Sequence, residues 1–296
     1  MQKYQKRKQL VLNIVFILIC LICILPFLLV LIASFTDNNT LLKEGYSFFP
    51  GKLSMEAYRY LMVRQAGKVW QAYWITTVIT VIGSIVGISI TTMLGYVISN
   101  RNFPYRKALQ FFVFFTMLFS GGLVPTYILY TKYLNMKNTL LALIVPNLLT
   151  NGMYVLIMRT FFQTNIPDSI LESAEIDGAS EIRTFISIVL PLSLPIMATV
   201  GLLLIISYWN SWYNCLIYVT KERLYTIQSL LSRILLNIQF LMTAGESGVS
   251  AGESADLPMQ SVRMAMAVVG ALPLLCVYPF FQKYFVKGLL VGAVKG

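Results

Sequence analysis

An all-α integral membrane protein with six spanning helices is the fold class this sequence predicts, on three observations. Hydrophobic residues make up 57% of the 296 and charged residues only 12%, where a soluble domain carries about 25% charged. The mean hydropathy is +0.71. The apolar residues fall in long continuous runs, and hydrocarbon offers the backbone no hydrogen-bond partner, so each run crosses as a helix of about 20 residues.

The first run, 10–35, follows MQKYQKRKQ, where Lys3, Lys6, Arg7 and Lys8 are clustered. No small-residue cleavage site follows Ile24–Phe35, which predicts a retained helix with a cytoplasmic start. The second, 73–99, carries Gly83, Gly87, Thr91 and Gly95 at spacing four, a ladder of small residues that lets another helix approach closely. The third and fourth, 108–130 and 139–160, are interrupted by Gly121, Gly122, Pro125, Pro146 and Gly152. Freed backbone groups at membrane depth need neighbouring helices or a wet cavity, so these are either packing kinks or marks of a pathway. The fifth is 193–219 and the sixth 264–286. An even count puts both termini on the cytoplasmic side. On that topology 12 of the 23 basic residues lie inside, and orientation rests on their density near helix ends, in the N-terminal cluster and Arg101–Lys107. Outside lie Thr36–Ala72, Thr131–Asn138 and Thr220–Arg263. The last contains TAGESGVSAGESADLP (243–258), either a loop that orders on a soluble partner or an unstructured linker.

Composition also excludes functions. The net charge of +11 is scattered over both sides of the membrane rather than gathered on one face, which speaks against nucleic acid. Cys20, Cys23, Cys215 and Cys276 all lie in predicted helices of a chain without histidine, so they read as packing residues, and no metal site or disulfide is expected. There is no GxxxxGK[ST] phosphate loop, so this chain is expected to bind neither ATP nor another cofactor itself. No charged residue falls deep in a span, which argues against coupling to protons or sodium. A membrane-embedded transferase would need convergent carboxylates or histidines, and five of the twelve acidic residues instead sit between Asp168 and Pro195.

That segment, DSILESAEIDGASEIRTFISIVLPLSLP, is too polar to span a bilayer. Pro167 and Asp168 predict a helix start, with Asp168 able to cap free N–H groups and a short helix over 169–177. Gly178 supplies a left-handed end to it. Ser180 can cap a second helix that carries Ile182, Phe185, Ile186 and Val189 on one face. The product is a bent elbow over 167–191, leading through Pro191 and Pro195 into the fifth span.

Glu172-Ser173-Ala174, three residues, Gly178, nine residues and then Ile188-Val189-Leu190-Pro191 resembles the E-A-A signature of permease subunits in bacterial ATP-binding cassette importers. Ser173 departs from it, small for small. The tail, Gln282-Lys283-Tyr284-Phe285-Val286-Lys287-Gly288 and then Gly292-Ala293-Val294-Lys295-Gly296, and the pair Trp209-Asn210, are similar to carbohydrate permeases of the maltose-transporter G-subunit type, closest to the lipoprotein-linked oligosaccharide permeases of Gram-positive bacteria. The resemblance covers the whole chain, 1–296, as one permease domain of the type I importer fold in the bacterial cell membrane. It implies a machine: a second homologous permease, two ATPase subunits that hold ATP and Mg, and an extracellular lipid-anchored binding protein that delivers a sugar or oligosaccharide. Glu172, Ser173, Ala174, Asp177, Gly178, Ile188, Leu190 and Pro191 would couple to the ATPase, and the 287–296 tail, with Lys295 and Gly296, would reach along it. The cargo reading has an alternative, a peptide or other solute carried by the same machinery.

The fifth span reads SYWNSWYNCLIYV, clustering Tyr208, Trp209, Asn210, Trp212, Tyr213 and Asn214. Sugars present apolar C–H faces ringed by hydroxyls, which aromatic rings and amides suit. Helical spacing puts Asn210 and Asn214 on one face, with Trp209, Trp212 and Tyr213 on its neighbour. An aromatic belt at the membrane boundary accounts for the same cluster equally well. Asn147 and Asn151 form another i, i+4 amide pair, which lines the pathway or bonds neighbouring helices.

Overall fold

Proline and glycine break the third and fourth apolar runs, while other runs stay whole through such residues. The computed structural model describes the backbone of residues 2–146, 149–246 and 259–293 and the side chains of 8–146, 149–237, 239–240 and 260–282. The chain packs as two units, Met1–Val69 with Leu231–Pro273 and Trp70–Leu230 with Leu274–Gly296.

In the first unit, α1 (Gln2–Ser34) runs unbroken through Pro26. Over Lys8–Ser34 none of its most apolar stretch is buried by the chain itself; a helix apolar all round needs lipid or another protein to cover it. The connection after α1 is built rather than slack. Ser54 N–H donates to Phe35 O at 2.7 Å and Asp37 N–H to Lys52 O at 3.1 Å, around a bridge from Thr36 to Leu53. Phe35 stacks on Tyr58 at 4.7 Å, beside α2 (Asn38–Glu44) and α3 (Glu56–Arg59), which continues as a π-helical turn, Tyr60–Arg64.

The long helix α4 (Ala66–Ser99) is whole. The third run is not. It divides into α5 (Arg106–Leu118) and α6 (Leu123–Ile128), the latter extended by a π turn to Tyr133, with a bend of 114°. Gly122, at φ +78°, makes that bend without a Cβ penalty, and Pro125 falls in the first turn of α6, where a missing N–H costs nothing. The fourth run is α7 (Leu141–Ile144) and α8 (Gly152–Asn165), separated around Pro146, which has no N–H to continue the ladder. After the elbow helices α9 (Asp168–Ile176), α10 (Glu181–Thr184, with a π turn Phe185–Val189) and α11 (Leu190–Leu192), a 78° bend leads into α12 (Leu194–Trp209) and then α13 (Tyr213–Tyr218). The outer connection expected over 220–263 holds a helix of 20 residues, α14 (Ile227–Glu246). Its Ile227, Leu230, Leu231 and Ile234 are buried at the i, i+3, i+4, i+7 spacing of an amphipathic helix. Residues 247–258 of the 243–258 segment lie outside the described residues. The last helix is α15 (Met259–Ala293).

Among the described residues three helices are long and apolar enough to cross a membrane unbroken, Lys8–Ser34, Ala66–Ser99 and Gln260–Gln282, and the two bent pairs pass the same test when each counts as one span. The chain is thus a multi-pass helical membrane protein in which three of the expected runs are broken.

The core of the second unit joins Ile79 of α4, Leu143 and Ile144 of α7, Met158 and Phe162 of α8, and Val200, Leu204 and Tyr208 of α12. The glycine ladder of α4 serves this packing on two sides. A Cβ on Gly83 would lie 2.3 Å from Tyr208 Cζ and one on Gly87 3.4 Å from a Leu204 methyl, whereas one on Gly95 would lie 2.8 Å from Met158 Cβ. Helices α12 and α8 both use the ladder, at different heights.

Candidate coupling site

The elbow is set by two local devices. Gly178 has φ +73°, its N–H donates to Glu175 O at 3.0 Å, and Ala179 N–H donates to Ala174 O at 2.9 Å. This pair of bonds is the Schellman ending, which satisfies carbonyls the helix leaves free. Two residues on, the Ser180 hydroxyl oxygen accepts from Arg183 N–H at 3.4 Å and starts α10.

Two expectations need correcting. Pro167 occupies the cap position of α9 without a side-chain hydrogen bond, and Asp168 is the first helical residue, so its carboxylate acts on the positive end of the helix dipole rather than as a cap. The apolar face expected after Ser180 is split: Val189 is buried and Phe185 half-buried, while Ile182 and Ile186 are 72% and 56% exposed. The π turn widens the helix from Phe185 onward, so the 3.6-residue spacing no longer aligns these four side chains.

On α9, Leu171 packs on the core and Ala174 is 6% exposed. Asp168, Glu172 and Glu175, at i, i+4 and i+7, line a cleft of about 290 Å³ together with Glu181. Its opposite wall is Tyr96, Ser99, Asn100 and Arg101 at the end of α4, and Phe162, Gln163 and Ile166 at the end of α8. No lysine or arginine among the described residues forms a salt bridge to Asp168, Glu172 or Glu175. Like charges at i, i+4 destabilise a helix by about 0.2–0.5 kcal/mol per pair, a modest cost while water screens them. A concave acidic surface of this kind is complementary to a basic partner group. Ser173 bonds back to Ser169 O at 2.8 Å, Asp177 is exposed, Ile188 and Leu190 are half-buried, and Pro191 is exposed. Ser173, Ala174, Asp177 and Ile188 border a second hollow on the other side of the elbow.

The aromatic and amide cluster resolves differently from its helical spacing. Helix α12 stops at Trp209 and α13 begins at Tyr213, so neither shared face survives: Asn210 is exposed and Asn214 only 3% exposed. Tyr208 is fully buried and its hydroxyl donates to Ile144 O at 3.0 Å; Asn214 Nδ2 donates to Pro146 O at 2.7 Å. Both carbonyls lie where the fourth run breaks, so these side chains supply the donors that a continuing helix would have given. Trp209 is buried with its ring 6.1 Å from Tyr73. Asn210, which accepts from Gln228 Nε2 at 3.4 Å, Trp212 and Tyr213 remain exposed. Asn151 caps α8, accepting from Met153 N–H at 2.9 Å. Asn147 lies outside the described residues, as do Lys295 and Gly296. Nothing in the sequence signals that Tyr96 faces the elbow.

One consequence is direct. Asn214→Ala leaves the Pro146 carbonyl without its donor, and an unpaired buried group costs about 1–3 kcal/mol. The variant is expected to melt measurably earlier than the parent in detergent by tryptophan fluorescence, and Asn210→Ala to melt with the parent.

Comparison with known proteins agrees with this architecture. Residues 87–291 match the family described as binding-protein-dependent transport system inner membrane component. The chain is 37% identical over 282 residues to the polygalacturonan/rhamnogalacturonan transport system permease protein YtcP of Bacillus subtilis (strain 168), covering 95% of each chain. It is 29% identical over 292 residues to the trehalose/maltose transport system permease protein MalG of Thermococcus litoralis, covering 98% of each. It shares the fold of a solved bacterial ABC transporter chain involved in the import of the acidic polysaccharide alginate, with a TM-score of 0.77 and 24% identity, over 95% of this chain and 97% of that one.

Proposed function

This chain belongs to the family of binding-protein-dependent transport system inner membrane components, and from that premise we propose that it is the carbohydrate-translocating permease of an ATP-binding cassette importer, driven through its elbow. As a permease it is a non-catalytic part of the transporter. The observation that carries the coupling reading is the elbow itself: the Schellman bend at Gly178 holds Glu172 and Glu175 in the wall of a cleft that Asp168 and Glu181 also line, with no salt bridge to them from a basic group among the described residues.

In this reading an ATPase subunit inserts a basic side chain into the cleft, with Glu172 as its first contact. Ala174 allows close packing, and Asp177, Ile188, Leu190 and Pro191 hold the elbow's shape. ATP and Mg bind in two such ATPase copies, a second permease completes the pathway, a lipid-anchored binding protein delivers the cargo outside, and both termini are cytoplasmic. Carbohydrate as cargo is supported by the names of relatives that align along nearly the whole chain and by the exposed Asn210, Trp212 and Tyr213, which offer sugar-facing rings and an amide while Tyr208 and Asn214 act as supports.

Reversing the charge at Glu172 tests the docking. Glu172→Lys places like charge against the partner, where juxtaposed like charges cost several kcal/mol, and co-purification of the ATPase with tagged permease is expected to fall at least tenfold. Undiminished capture would sink the docking reading. The cargo class is checked by thermal shift of the cognate binding protein against oligosaccharides and peptides; stabilisation by peptides alone would transfer the reading to a peptide importer.

A further inference from the structure

We propose that Tyr96, in the last turn of α4, is a positioning residue that ties the elbow to α4, so that the two move as one body when the ATPase closes. The inference rests on the elbow being the ATPase docking site and adds the route by which motion leaves it.

The Tyr96 hydroxyl donates to Glu181 Oε2 at 3.3 Å, joining α4 to the start of α10. Its ring lies 5.1 Å from that of Phe185 and meets Phe162 of α8 edge-on at 6.0 Å. One side chain therefore touches the elbow with both its hydroxyl and its ring, while the ring also meets α8 at Phe162. The end of α4 is itself held to α8: a Cβ on Gly95 would lie 2.8 Å from Met158 Cβ and 3.3 Å from Arg159 N, and Gln163 Nε2 donates to Ser99 O at 3.4 Å. By contrast, α9 meets the bundle through apolar surface at Leu171 and Ala174. Such contacts resist separation but are non-directional, so they permit sliding that a hydrogen bond at fixed geometry resists.

Tyr96 and Glu181 also line the acidic cleft. In the free chain their bond is exposed to water and weak. A partner group that fills the cleft expels that water, and a hydrogen bond to an ionised carboxylate strengthens as the local dielectric falls. The remaining carboxylates, Asp168, Glu172 and Glu175, are left to meet the partner's charge. The tie is then tightest when force is applied to the elbow.

Spin labels at Ile186→Cys on the elbow and Ile85→Cys on α4, positions 56% and 60% exposed, report on this directly. Cys20, Cys23 and Cys276, which are exposed and free, are first replaced by serine. In the assembled complex the label-to-label distance is measured without nucleotide and with ATP on a hydrolysis-deficient ATPase. With Tyr96 in place the two distances are expected to agree within about 2 Å, the scale of helix shear. Tyr96→Phe, which keeps the ring, and Glu181→Ala should each make the distance depend on nucleotide by more than that, and the double variant should add nothing further, as for two halves of one interaction. ATPase capture should match the parent in Tyr96→Phe, which leaves every cleft carboxylate in place; the variants that lack Glu181 are compared by distance alone. A nucleotide-dependent distance in the parent, an unchanged distance in Tyr96→Phe, or loss of capture in Tyr96→Phe overturns the proposal. Capture that survives Glu172→Lys strikes instead at the docking reading beneath it.

Discussion

Gly178→Pro is expected to abolish capture of the ATPase while the spanning helices stay folded. Proline holds φ near −65°, and this position sits at +73°. It also removes the N–H that donates to Glu175 O. Proline in a position that needs the N–H costs about 3 kcal/mol or more, more than an exposed nine-residue helix can supply, so α9 frays and Glu172 and Glu175 lose their placement. Alanine separates the two causes. A Cβ at Gly178 has no atom within 4 Å, so Gly178→Ala meets only the left-handed backbone cost of about 1–2 kcal/mol. Capture should therefore fall in the order Gly, Ala, Pro, with unfolding temperatures in detergent nearly constant. Wild-type capture by the proline variant would show that the bend does not position the docking face.

The elbow was readable because its determinants are local. Gly178 and Ser180 act on backbone groups within a few residues, and that information is contained in the segment. The interruption near Pro146 was readable, but not its consequence. The donors that satisfy Ile144 O and Pro146 O come from Tyr208 and Asn214, over 60 positions away, and nothing in a helical wheel distinguishes a structural donor from a sugar ligand. The same limit explains Asn210 and Asn214: the wheel assumes an unbroken helix, and the break at Asn210–Trp212 sends them to different surroundings. A π turn likewise undid the face containing Ile182 and Ile186. Helix α14 differs, since the spacing of Ile227, Leu230, Leu231 and Ile234 is present in the sequence itself.

Gly83→Ala is expected to be the most destabilising single methyl that can be added to α4. Its Cβ would lie 2.3, 2.5 and 2.7 Å from three ring carbons of Tyr208, closer than such atoms can approach. The ring cannot swing aside cheaply, because Tyr208 is fully buried and its hydroxyl is bonded to Ile144 O. Displacing it costs about 1–3 kcal/mol of overpacking and exposes the carbonyl to a further loss of about 1–3 kcal/mol, against a helix-propensity gain of about 1 kcal/mol from removing glycine. The neighbours grade the effect. At Gly87 the nearest atom is Leu149 O at 3.1 Å, and at Gly201 it is the flexible end of Ile88 at 3.2 Å, so Gly87→Ala should cost less and Gly201→Ala should be close to neutral. Unfolding of the three variants in one detergent tests that order. The mechanism has a sharper check in a double-mutant cycle: Tyr208→Ala alone empties a core site and leaves Ile144 O unpaired, but in the Gly83→Ala background it also relieves the clash. Its cost there should be smaller by more than about 1 kcal/mol, within the coupling range of residues in contact. Additive costs would mean that α4 and α12 separate at Gly83 rather than press on Tyr208, and the ladder would then be spacing for helix approach without a keyed contact.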